Sequence, residues 1–83
     1  MFKIKLTAKA KRELRAISKL YKHSIAEAIE EIKEDPFSGK PLTNELIGRF
    51  SYKLGVYRII YKISKRDKIV HILTAGHRSI IYD

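Results

Sequence analysis

Lys53, Arg58, His77, Arg78 and Tyr82 all lie in the C-terminal half of an 83-residue chain, and together they hold the parts that metal-free RNA cleavage requires. That reaction needs a group to accept the 2′-hydroxyl proton, cations to stabilise a pentavalent phosphate, and a donor to protonate the leaving 5′-oxygen. Arg58 and Arg78 each offer a planar fork that meets a phosphate bidentately. His77 is the residue type best suited to moving a proton near neutral pH, and the ring of Tyr82 can stack on an unpaired base. Lysine has an ordinary pKa of about 10.4. Lys53 therefore needs other cations crowding it to act as a base, with Arg58 and Arg78 as the candidates, and His77 competes for that role. No carboxylate cluster accompanies these residues, which argues against a two-metal nuclease. His23, His71 and His77 have no metal-ligand spacing, so neither a metal nor another cofactor is expected. His71, in mid-strand, reads as structural.

These residues have to be positioned by strands. The chain opens with period-two alternation, Phe2, Ile4 and Leu6 against Lys3 and Lys5, as in a half-buried strand. Thr7 is placed to cap a helix running to about Leu20, with Ala10, Leu14, Ile17 and Leu20 or Tyr21 on its apolar stripe. Its other face carries Lys9, Lys11, Arg12, Arg15, Lys19 and Lys22. A capping box, Ser24-Ile25-Ala26-Glu27, predicts a second helix from Ser24 that stops at Asp35-Pro36. Residues 36–45 read as a loop. Period two then returns. Phe50, Tyr52 and Leu54 form one side of a strand, Gly55 marks a turn, and Tyr57, Ile59, Tyr61 and Ile63 share a face opposite Arg58, Ile60 and Lys62. Lys65-Arg66-Asp67-Lys68 reads as a hairpin turn, and residues 69–75 as a strand that is apolar on both faces. The expected fold is α+β in the order β-α-α-β-β-β. An α-hairpin packs on a mostly antiparallel four-stranded sheet, all within one domain spanning 1–83. Arg58, Lys62 and Lys53 should then line the face turned away from the helices, with Lys62 about 13 Å from Arg58 along its strand.

Charge points to the partner. The net charge is +9, and it is unevenly spread: residues 1–22 and 49–78 each sum to +7, while residues 23–48 sum to −4. Two basic blocks around an acidic one favour a polyanion, nucleic acid first and an acidic protein second. Lys11, Arg12, Arg15 and Lys19 on the first helix, with Arg49 and Lys62, are the candidates for RNA or ribosome contact. Cysteine is absent, which excludes disulfides and thiolate chemistry. The longest apolar run is three residues and the N-terminus has no signal-peptide pattern, so a soluble cytoplasmic protein without a membrane partner is expected.

The stretch Gly48-Arg49-Phe50-Ser51-Tyr52-Lys53-Leu54-Gly55-Val56-Tyr57-Arg58-Ile59-Ile60-Tyr61, followed by Ala75-Gly76-His77-Arg78 and then Tyr82, resembles the RelE/ParE superfamily. These are the toxins of bacterial and archaeal type II toxin–antitoxin systems. The resemblance covers essentially the whole chain and implies a small basic toxin held inactive by a cognate antitoxin. RelE-type members enter the ribosomal A site and cut mRNA by 2′-hydroxyl attack. By position, Arg58 is similar to their strand arginine on the scissile phosphate and Arg78 to their second phosphate arginine. Tyr82 is similar to their base-stacking tyrosine, and Lys53 to the basic residue before the Gly-x-Tyr-Arg turn. The sequence departs from members with two lysines two residues apart, since Arg49, Ser51 and Lys53 stand here, and Glu45 is the only nearby carboxylate. The resemblance also implies that DNA binding belongs to the antitoxin, so no sequence-specific DNA binding is expected of this chain. The alternative within the superfamily is a ParE-type inhibitor of DNA gyrase with no chemistry of its own. A copy that has lost activity and serves only in a repressor complex is a third.

Overall fold

The structure, a computed structural model, describes residues 2–17, 19–43 and 47–77. Strand β1 (Lys3–Leu6) leads into α1 (Ala8–Ala16) and α2 (Lys19–Glu34). A 3₁₀ turn (Pro36–Ser38) follows, then β2 (Lys40–Pro41), β3 (Arg49–Leu54), β4 (Tyr57–Ser64) and β5 (Ile69–His77). The strands form one mixed sheet ordered β1-β5-β4-β3-β2, in which only the β1–β5 pair is parallel. Both helices cover the same face, and their Ala10, Ala28 and Ile32 meet Ile59, Tyr61, Val70, Ile72 and Ala75 of the sheet in the buried core. The α+β class and the order strand, helix pair, strands are as expected.

Five strands are present among the described residues where four were expected. The added strand, β2, is only two residues long and lies within the predicted loop, pairing Lys40 with Ser51 and Pro41 with Phe50. It is an edge strand, one of the few sheet positions where a proline without an N–H is tolerated. The segment before it is tied down from both sides. Asp35 accepts from the Phe37 N–H at 3.2 Å, and the fully buried Tyr61 hydroxyl donates to the Pro36 carbonyl at 2.7 Å. The Phe37 ring lies edge-on between Phe2 and Phe50.

The helix boundaries also differ from expectation. Thr7 caps α1 as expected, accepting from the Ala10 N–H at 3.0 Å, but the helix ends at Ala16 because Ile17 turns extended and buries its side chain. The second helix begins at Lys19, not at Ser24. Tyr21, Ile25, Ala28 and Ile32 make one stripe at helical spacing, and the Tyr21 ring packs on Tyr57 at 4.8 Å. Burying that extra turn outweighs an N-cap at Ser24, worth about 1 kcal/mol. The helix stops before Asp35-Pro36 as predicted.

Two features of the strands set what faces where. Gly55 begins the two-residue β3–β4 turn with φ +60°, a conformation that favours glycine. In β5 the register slips: Ile60 pairs with Thr74 but Tyr61 pairs with Ile72, leaving Leu73 as an extra residue in a β-bulge. Side-chain alternation therefore shifts by one residue beyond Leu73, so that both Ile72 and Ala75 point into the core.

Candidate functional site

Among the described residues, the strands carry seven Lys and Arg residues and no Asp or Glu. Strand register puts all seven on the face away from the helices. Lys53 lies across from Arg58, Arg49 from Lys62, and Lys40 beside Ser51. Lys3 and Lys5 fall beside Ile69 and His71, which pair with Ser64 and Lys62. The apolar alternates Phe50, Tyr52, Leu54, Ile59, Tyr61 and Ile63 all turn toward the helices. This division is what two half-buried faces of one sheet require, and here it sorts charge completely.

On that open face, Lys40, Leu42, Ser51, Lys53 and Arg58 surround a cleft of about 340 Å³. Arg58 is half-buried, and one guanidinium nitrogen donates to the carbonyls of Gly55 and Tyr57 at 3.3 and 3.2 Å. The hairpin turn thus holds the arginine by its own backbone. Arg58 faces Gly76 across the β4–β5 ladder, so no side chain of β5 stands beside it at that pair. Ser51 is buried at the cleft floor. This arrangement can bind an oxyanion between an arginine fork and two lysines.

Lys53 and Arg58 are therefore together, as expected, but His77 is not with them. It is the cross-strand partner of Tyr57, whose ring it meets edge-on at 6.2 Å, and it borders a separate cleft of about 230 Å³ with Glu13, Ala16 and Ile17 on the helix side. The bulge at Leu73 is the cause, because unbroken alternation from Val70 and Ile72 would have turned residue 77 to the open face. Arg78 and Tyr82, like Glu45, lie outside the described residues.

The RNA-contact candidates divide between two surfaces. Arg49 and Lys62 extend the open face, while Lys11, Arg12, Arg15 and Lys19 are exposed on the helices across the sheet. Lys11, Arg15 and Lys22 rim an apolar groove of about 370 Å³ whose floor includes Leu6, Leu14, Ile25 and Ile29. Sequence reasoning missed Lys40, Leu42 and Ser51 as part of the cleft. A two-residue strand containing proline leaves no periodic signal.

Helix and sheet are latched by polar contacts. Glu13 accepts from the Thr74 hydroxyl at 2.7 Å and from the Ala75 N–H at 3.3 Å, and Thr7 donates to the Leu73 carbonyl at 2.8 Å, so α1 grips the bulge at two points. The Tyr52 hydroxyl donates to Glu31, and that bond, aided by burial and the carboxylate charge, pushes the Tyr52 pKa up to about 12. Burial, chiefly, pushes Tyr61 up to about 12 as well. Among the described residues, no three His, Asp or Glu side chains stand close enough to hold a metal ion, and no helix is long and apolar enough to cross a membrane.

Known proteins share both the sequence and this architecture. A family model described as the ParE toxin of a type II toxin–antitoxin system matches residues 4–82. Toxin RelG of Mycobacterium tuberculosis is 34% identical over 83 residues, covering 98% of this chain and 95% of that protein. A chain of the crystal structure of the M. tuberculosis toxin–antitoxin complex RelBE2 superposes with a TM-score of 0.84 at 33% identity, covering 93% of this chain and 98% of that one. The isolated E. coli RelE toxin shares the fold with a TM-score of 0.80 at 19% identity, over 99% of this chain and 92% of its own. A family match over nearly the whole chain, a relative above 30% identity and a shared fold lead to one conclusion: this chain belongs to the ParE toxin family, within the RelE/ParE toxins of type II toxin–antitoxin systems.

Proposed function

We propose that this toxin is a ribosome-dependent, metal-independent mRNA endoribonuclease that cuts at the A site by 2′-hydroxyl attack and so arrests translation. The observation that carries the reading is the gathering of every strand cation on one face, with Lys53 and Arg58 paired across a cleft on it. In the reaction the 2′-oxygen gives up its proton and forms a bond to phosphorus as the bond from phosphorus to the 5′-oxygen breaks and that oxygen takes up a proton. Negative charge then builds on the equatorial phosphate oxygens. Arg58 holds that charge with its fork, Lys53 and Lys40 add to the field, and Arg78 is the second phosphate arginine. Lys53 is the better-placed proton acceptor because it shares the cleft with Arg58, whereas His77 faces the helices. Tyr82 stacks on the substrate base, and Arg49, Lys62 and the cations of α1 meet ribosomal and messenger RNA.

The partner that silences the toxin is a cognate antitoxin with an acidic amphipathic segment. The apolar groove rimmed by Lys11, Arg15 and Lys22 suits such a segment in shape and charge. The test is cleavage of a defined mRNA on programmed ribosomes: wild type cuts at the A-site codon, Arg58→Ala does not, and free mRNA stays intact.

A second reading, a ParE-type inhibitor of DNA gyrase without catalysis, is favoured by one observation, that the matching family model is the ParE toxin. Gyrase-dependent DNA breaks stabilised by the purified protein, with no A-site cuts, would establish it.

A further inference from the structure

Lys5, His71, Lys62 and Arg49 stand side by side in one row across four strands, β1, β5, β4 and β3. At about 4.8 Å between neighbouring strands, the row is about 14 Å long. Lys3 lies beside it on the edge strand, two residues from Lys5. Lys3, Lys5 and Lys62 are exposed, and His71 and Arg49 are half-buried. Along β4 the row is four residues from Arg58, about 13 Å from the cleft. Between the two lie Ile60 and Ser51, both buried.

We propose that this row is a second RNA-contact site, a seat for sugar-phosphate backbone flanking the segment held in the cleft. The inference rests on the nuclease reading for the identity of the RNA, and it adds Lys5 and His71, with Lys3 beside them, to Arg49 and Lys62. The row shares one sheet face with the cleft, and among the described residues no strand of that face supplies a carboxylate. Opposite charge is thus required of whatever lies there. A docked peptide needs pockets for its side chains, and the row presents charged and imidazole groups on a pleated surface. Phosphates need only cations at a suitable spacing, and contacts of this kind fix register without reading sequence. Lys3 and Lys5 are the charged alternates of β1. Parallel pairing with β5 is what brings them into line with Lys62 and Arg49.

The test is binding of a fluorescent single-stranded RNA oligonucleotide to the full chain across a series of KCl concentrations. Each lysine that neutralises a phosphate contributes about 0.7 to the slope of log K against log salt for a single strand. Lys5→Ala and Lys62→Ala should therefore each flatten the slope by about 0.7, and the double variant by about twice that. Lys33→Ala, which removes the same charge from α2 across the sheet, should leave the slope unchanged. Flattening by Lys33→Ala equal to that of the row variants, or no flattening by either, overturns the proposal. Poly-glutamate of matched length serves as the second ligand. If the row variants weaken it as much as they weaken RNA, the row belongs to an acidic polypeptide and the RNA assignment falls. On programmed ribosomes, Lys5→Ala and Lys62→Ala should raise KM several-fold at constant kcat. If wild type does not cut at all, the nuclease reading fails, while the RNA slopes still decide the row.

Discussion

Gly39 and Tyr61 make a pair whose energetics can be worked from the structure. Gly39 has φ −73°, a backbone any residue adopts, so alanine there should stabilise by about 0.4–1 kcal/mol through the unfolded chain alone. Space decides otherwise. A Cβ on Gly39 would collide with the Tyr61 hydroxyl and would sit 3.0 Å from Tyr61 Cζ and 3.2 Å from the Ser51 carbonyl oxygen. Tyr61 is fully buried and its hydroxyl is held by Pro36, so it cannot swing aside without giving up that bond. Overpacking of this kind costs about 1–3 kcal/mol, and the net for Gly39→Ala is a loss of about 1–2 kcal/mol. Tyr61→Phe leaves the buried Pro36 carbonyl without its donor and costs about 1–3 kcal/mol. The double variant removes the atom the new methyl strikes hardest, so it should be more stable than the two losses added together, by at least about 1 kcal/mol. Urea unfolding followed by far-UV circular dichroism measures all four proteins. A Gly39→Ala protein as stable as wild type, or strictly additive losses, would refute the packing argument. The segment matters for the site, because it delivers Lys40 to the cleft beside Lys53 and Arg58.

Three further outcomes follow from the same geometry. Thr7→Ala loses both the α1 cap and the bond to the Leu73 carbonyl, and should lower stability by about 1–2 kcal/mol, seen as a fall in urea midpoint at unchanged slope. Tyr52 and Tyr61 both have folded pKa values of about 12, above the ordinary value of about 10, so their neutral forms favour the fold. That contribution is complete below pH 10 and is lost as pH rises through about 12. Alkaline titration at 295 nm should show two tyrosines ionising late, and Tyr52→Phe should remove one of them. Arg58→Lys keeps the charge but not the fork and should lower kcat for A-site cleavage at least tenfold, with ribosome binding nearly intact.

What was legible in the sequence is what obeys a local period. Lys3 and Lys5 against Ile4 and Leu6, and Arg58 and Lys62 against Ile59 and Tyr61, announced strands with one charged face, and Asp35-Pro36 announced a helix end. The cleft pair Lys53 and Arg58 followed from that alternation around Gly55. Three things had no local signal. Residues Lys40–Pro41 are a strand only because β3 offers an edge, and Tyr61 reaches back to hold the Pro36 carbonyl. The true start of α2 depends on Tyr21 finding Tyr57, a contact 36 residues away along the chain. The bulge at Leu73 depends on α1, whose Thr7 and Glu13 bond residues 73–75, and it alone turns His77 to the helix side. Side chains gathered by strand alternation were predictable, and those placed by a break in alternation were not.

Whether the cationic sheet face cuts mRNA is read out on programmed ribosomes. Purified toxin is added to ribosomes stalled on a defined mRNA, and new 5′ ends are mapped by primer extension beside Arg58→Ala, Lys53→Ala and ribosome-free controls. Cuts should appear at the A-site codon, need the ribosome, vanish with Arg58→Ala and fall sharply with Lys53→Ala, while His77→Ala affects them less than Lys53→Ala. No cuts from a folded, growth-arresting protein would contradict it and make gyrase the leading target.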